Sequence, residues 1–136
     1  MQDWNYLHTS DMEITIELSF NKYPAASTLP THWMHNKEAL YAFSELPTKL
    51  GVTGQIISSH SPITECSVKL ETYENDGWKA NSHEVQPNLQ GRYWRMLTEG
   101  QHRLTATCGV SVSQKFEVII PANQGELVQH DFSFGK

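Results

Sequence analysis

Basic clusters are missing from this sequence. Ten Lys and Arg stand against fifteen Asp and Glu, for a formal net charge of −5, and no stretch gathers the positive residues that a phosphate backbone requires. No nucleic-acid partner is therefore expected. No run is long enough to span a bilayer, and the first thirty residues lack a basic region followed by an apolar one, so neither a membrane segment nor a leader is read in these residues. Glycine-rich phosphate loops are absent, since neither GxGxxG nor GxxxxGK occurs, and so is the GxSxG elbow of a serine hydrolase. His8, Ser10 and Asp11 contain the letters of a nucleophilic triad, yet they are near neighbours in sequence, whereas working triads come from separate elements. Only two cysteines occur, Cys66 and Cys108, too few to define a disulfide framework or a metal site by spacing. Each falls in phase with apolar neighbours, Val68 and Leu70 for one and Leu104 and Ala106 for the other. That phasing favours buried free thiols, with a bridge between strands as the alternative.

What is present is a globular composition, 38% hydrophobic and 10% aromatic, enough for one ordinary domain or two small ones. The opening, MQDWNYLHTSD, crowds Asp3, Trp4, Asn5, Tyr6 and His8 together ahead of any regular structure, which makes Met1 read as an internal methionine of a longer protein. Residues 12–20, MEITIELSF, then alternate without a miss. Met12, Ile14, Ile16, Leu18 and Phe20 face one way and Glu13, Thr15, Glu17 and Ser19 the other, the pattern of a β-strand. At about 3.3 Å per residue the two carboxylates stand roughly 13 Å apart, too far to share the chemistry of paired carboxylates, so either would work alone. NKYPAASTLP closes the strand as a loop. THWMHNKEALYAFSEL reads as a helix with Thr31 as its cap, an apolar stripe through Trp33, Leu40 and Phe43, and Pro47 as its stop. One strand and one helix cannot bury each other's apolar faces, so residues 1–48 read as a remnant of something larger.

From Gly51 the texture becomes short alternating runs, VTGQII, CSVKLETY, GRYWRML, HRLTATC, KFEVII and LVQHDFSF. Asn75-Asp76-Gly77, Pro87-Asn88, Glu99-Gly100 and Asn123-Gln124-Gly125 separate them as turns. Strands at this spacing with no helix between them predict a β-sandwich. One apparent metal motif, His35 to Glu38 as HxxE with His32 three residues earlier, fails on geometry. Steps of three turn a helix by about 300°, so the outer two diverge by roughly 120° and the three cannot converge on one ion.

MQDWNYLHTSDMEITIELS followed by NKYP, then Trp33 with NKEAL, then GVTGQI, resembles the end of the catalytic domain of zinc metallocarboxypeptidases of the carboxypeptidase E, N, M and D type. The resemblance continues, most clearly at GRYWRMLTEGQHRLTAT, into the transthyretin-like β-sandwich that follows that domain. It implies a mainly β chain: residues 1–48 as the strand and helix that end an α/β carboxypeptidase domain, and residues 49–136 as a transthyretin-like sandwich. It places the family's catalytic carboxylate, the second Glu of EITxELS, on Glu17 and gives Glu13 no such role. In that chemistry two His and one Glu hold zinc, and the carboxylate takes a proton from the metal's water and passes it to the departing amine. Gln2 falls at the floor of the pocket for the substrate's C-terminal side chain, where Gln is typical of members that remove Arg or Lys, and Asp3 and Trp4 continue the pocket wall.

The zinc ligands, the arginines for the substrate carboxylate and the mobile tyrosine of that family fall before Met1. Tyr6 is not that tyrosine, and His35 and Glu38 belong to the final helix of the catalytic domain. Relatives often carry cysteines where this chain has Asp11 and Phe20. The resemblance thus implies peptide or protein C-termini as partners, zinc in the parent only, an extracellular or secretory location, and no activity in this chain by itself. The alternative is a non-enzymatic β-sandwich that binds a protein or a small ligand.

Overall fold

A computed structural model describes residues 2–9, 11–110 and 113–135, leaving aside the side chains of Leu7, His8, Thr9, Ser82 and His83. The chain is mainly β. Two helices come first, α1 (Gln2–Thr9) and α2 (Leu29–Lys49), and eight strands follow: β1 (Val52–Ser58), β2 (Cys66–Glu74), β3 (Gly77–Val85), β4 (Arg92–Arg95), β5 (Gly100–Cys108), β6 (Gln114–Ile120), β7 (Val128–Gln129) and β8 (Phe132–Phe134).

The strands form two sheets. In the first, β1 pairs antiparallel with β4, Val52 opposite Arg95, and parallel with both β7 and β8, Val52 opposite Val128 and Ile56 opposite Phe132. β7 and β8 are thus two pieces of one edge, interrupted at His130 and Asp131. The interruption is sealed by substitution: the His130 N–H donates to the Thr53 carbonyl, and the Gln55 N–H donates to the Asp131 carboxylate. Gly54 is required there, because a Cβ on it would fall 1.7 Å from the His130 carbonyl oxygen. The second sheet runs β3-β2-β5-β6, antiparallel throughout. Its β2–β3 hairpin turns on Asn75 and Asp76 at φ 49° and 64°, the left-handed pair that a two-residue turn demands and that Asn and Asp tolerate.

Alternation along each strand sends Val52 and Ile56, Val68 and Leu70, Leu104 and Ala106, and Phe132 and Phe134 into one shared core, with Tyr93, Leu97 and Ile120. Burying such a side chain is worth about 1.5–3 kcal/mol, so the interior between the sheets carries the stability of this region. Every member of that core lies between Val52 and Phe134.

Several expectations need correction, among them Thr31 as the cap of α2, a position that falls to Thr28. The opening residues form a helix, α1, pinned from outside: the Gln2 amide donates to the Thr15 hydroxyl at 2.6 Å, and the Asn5 amide donates to the Glu13 carboxylate. Residues 12–20 alternate as a strand would but belong to no strand, because a ladder needs a partner and none of the described strands reaches them. Cys66 and Cys108 are bridged rather than free. The phasing that turns each thiol inward also sets it on the inner face of β2 or β5, and the register places the two directly opposite.

Helix α2 carries the expected run but starts earlier and ends later. Pro30 sits in its first turn, where a missing N–H costs nothing. Pro47 lies inside, and the last turn holds because the Leu50 N–H reaches the Leu46 carbonyl and the Thr48 hydroxyl donates to that of Glu45. Leu40, Phe43 and Leu46 are half-buried, Trp33 is exposed, and no residue of α2 is fully buried.

Candidate functional site

Glu17 lies in the extended segment between the helices, exposed at the rim of a hollow of about 480 Å³ that also includes Phe20, Lys22 and His32. Gln2 begins α1, half-buried and bonded to Thr15, two residues from Glu17. Asp3 is exposed on the next position of α1. The structure therefore brings Gln2 to the segment that carries Glu17, while Glu17 itself opens on a different hollow from the one beside α1. Ser10 and the His8 side chain, two letters of the apparent triad, lie outside the described residues. His32, His35 and Glu38 ride on α2, where the Asn36 amide donates to the His32 carbonyl and Lys37 stands 3.6 Å from Glu38. Among the described residues no three His, Cys, Asp or Glu side chains gather as a metal ion requires.

The sandwich carries its own buried polar groups. His102 bridges two partners, with Nε2 2.8 Å from the Thr98 carbonyl and Nδ1 3.2 Å from the Thr72 hydroxyl. A carbonyl only accepts, so Nε2 donates to Thr98. His130 stacks on Phe116 with centroids 3.7 Å apart and meets Phe132 edge-on. Burial holds its pKa below the ordinary value, against the opposing pull of Asp131. On the outer face of the second sheet Arg103 forms a two-pronged pair with Glu71, both distances 2.6 Å, and lies 4.3 Å over the Trp78 ring. The hydrogen bond from Arg103 lowers the pKa of Glu71 in spite of desolvation.

Arg95 is the residue that reading the sequence missed. It is 1% exposed, on the inward face of β4 beside Tyr93, and among the described residues its Nε and Nη1 make no hydrogen bond. Its signal was available: in RYWRML the inward positions are Tyr93, Arg95 and Leu97, so a charge stands in core phase. Arg95 lines a cavity of about 460 Å³ between the N-terminal segment and the start of the first sheet, where Tyr6 of α1 approaches it.

No family model matches the sequence. Carboxypeptidase D of Drosophila melanogaster is 34% identical over 134 residues, 97% of this chain and 9% of that protein. Carboxypeptidase Z of Homo sapiens is 32% identical over 133 residues, 97% of this chain and 19% of that protein. The carboxypeptidase N catalytic chain of Rattus norvegicus is 35% identical over 107 residues, 78% of this chain and 21% of that protein. The chain therefore spans between 9% and 21% of the length of these relatives. Among solved structures, an (S)-allantoin synthase aligns over 87% of this chain and 58% of its own at 12% identity and a TM-score of 0.38, too slight a likeness to argue from.

Proposed function

This chain is related in sequence to the carboxypeptidases D, Z and N, and on that premise we propose that it is the C-terminal part of a zinc metallocarboxypeptidase that removes Arg or Lys from the ends of peptides or proteins. In this reading residues 1–48 complete a catalytic domain and residues 49–136 are a transthyretin-like sandwich. The observation that carries it is one alignment running across both regions, 97% of the chain, rather than across the sandwich alone.

Glu17 supplies the carboxylate that moves the proton, and its exposure beside an open hollow suits a group meant to face substrate. Gln2 and Asp3 belong to the pocket for the departing residue. In this reading residues elsewhere in the longer protein hold the zinc, and this chain by itself is inactive; no cluster of three donor side chains is found among the described residues. An extracellular or secretory location accords with the Cys66–Cys108 bridge, because disulfides persist in oxidising compartments. No described helix is long and apolar enough to cross a membrane.

The test is made on the native polypeptide that contains this sequence. It should run at several hundred residues and release Arg from a peptide ending in Arg, and Glu17→Gln in that full protein should lower turnover by about 10²–10⁴-fold. Undiminished turnover would remove Glu17 from the chemistry. A second reading, a non-enzymatic sandwich that binds a partner, is favoured by one observation: the core closes on itself between Val52 and Phe134. A native product of 15.5 kDa with no hydrolysis would select that reading.

A further inference from the structure

Among the described residues the two sheets end in four edges, and three of them are poorly suited to take another strand. β4 has only four residues, β7 and β8 are separate pieces, and β3 breaks its register with β2 between Lys69 and Glu71. Short, interrupted or bulged edges are the usual defence against pairing between chains. β6 has none of these features. It runs seven residues, QKFEVII, without proline, and its register with β5 holds unbroken from Gly100 opposite Ile120 to Ala106 opposite Gln114. On its far side the backbone meets no partner among the described residues. Its inward side chains are also unfinished: Phe116 and Val118 pack against the core yet stay half-buried, whereas Val68 of β2 and Leu104 of β5 are sealed.

We propose that β6 is an interface for a second copy of this chain, paired antiparallel with its own counterpart so that Phe116 stands opposite Phe116 and the two sheets join into one. A closed pair needs a two-fold axis, and for antiparallel strands side by side that axis is perpendicular to the sheet, so each residue meets one from the same face. Charge then selects the register. Lys115 and Glu117 alternate onto the outer face, where Glu117 stands 3.7 Å from Arg103. Centred on Lys115 or on Glu117, the pairing sets like charges opposite each other; centred on Phe116, it sets Lys115 against Glu117 twice. Charges that guard the edge against other strands thus match a copy of this one. On the inner face the same register brings the two half-buried Phe116 rings together and sets each Val118 against Gln114 of the other copy. The overlap covers residues 114–118 of each copy, a small interface of the kind found in transient assemblies. It concerns the sandwich alone and stands whether or not the longer protein is a peptidase.

The experiment is sedimentation velocity on the 136-residue chain from about 5 to 500 µM. The weight-average mass should rise with concentration from 15.5 kDa toward that of a pair. Lys115→Glu sets Glu opposite Glu twice and Glu117→Lys sets Lys opposite Lys twice, so each should weaken association about tenfold, while the double exchange restores it by returning both opposite-charge pairs. Both positions are exposed, so the exchanges spare the fold. The apolar surface of residues 11–50 offers another route to association, but association through it would ignore both reversals. That indifference, a mass of 15.5 kDa at every concentration, or a double exchange that fails to restore what the single ones lose overturns the proposal.

Discussion

His130 shows how one side chain ties stability to pH. Its folded pKa lies below the ordinary 6.5 because its ring is packed against Phe116 and Phe132. As pH falls the unfolded chain takes up the proton first, so the stability that neutral His130 confers is present above about pH 6.5 and is lost below it. Urea unfolding at pH 7.5 and 5.5 should therefore show a smaller acid loss in His130→Gln than in the unaltered chain, and equal losses would exclude the effect. The same scale shows what a sequence discloses. Arg95 was visible as a charge in core phase, whereas the bridging of Cys66 with Cys108 was not, because phase gives the face of a strand but not its register. Leu70 opposite Leu104 settles that register, and it is a fact about two strands together. Glu17, Gln2 and Asp3 came from resemblance; alternation alone could not separate Glu17 from Glu13.

Elements were legible in proportion to how one-sided their burial is. β2 and β5 alternate because one face meets the core, and both stood out. β3, GWKANSHEV, has little apolar alternation and escaped notice; it is an edge strand, held by the Asn75-Asp76 turn and by pairing with β2. It also fits two more residues between Ala80 and Glu84 than β2 sets between Glu71 and Lys69, an irregularity of the kind that blunts sheet edges. α1 escaped because Asn, Tyr, His and Thr are weak helix formers and its ties to Thr15 and Glu13 are tertiary. The sealed break between β7 and β8 gives this scale its prediction. Gly54→Ala puts a methyl against backbone that cannot retreat without opening β1 from β7, and should cost about 3 kcal/mol, read as a lower urea midpoint. A loss under a few tenths would mean that the sheet yields there.

Over the whole molecule, burial is unequal. The sandwich holds every residue of the core, while residues 11–50 contribute none to it and leave Ile14, Leu18, Phe20, Trp33, Met34 and Tyr41 exposed. Apolar exposure on that scale marks a surface that expects a cover. Limited proteolysis should accordingly cut within residues 11–50 first and leave a resistant piece beginning near Gly51, identified by mass. Resistance extending back to the N-terminus would show that the helices are held as firmly as the strands. The parallel pairing of β1 with β7 and β8 has a consequence of its own for the order of events during synthesis. The strands that flank β1 on one side are made some 75 residues after it. At about 5–20 residues per second on the ribosome the nascent strand waits several seconds with one edge unclaimed. The first sheet is thus completed only once β7 and β8 have emerged, and chaperone occupancy should be greatest in that interval.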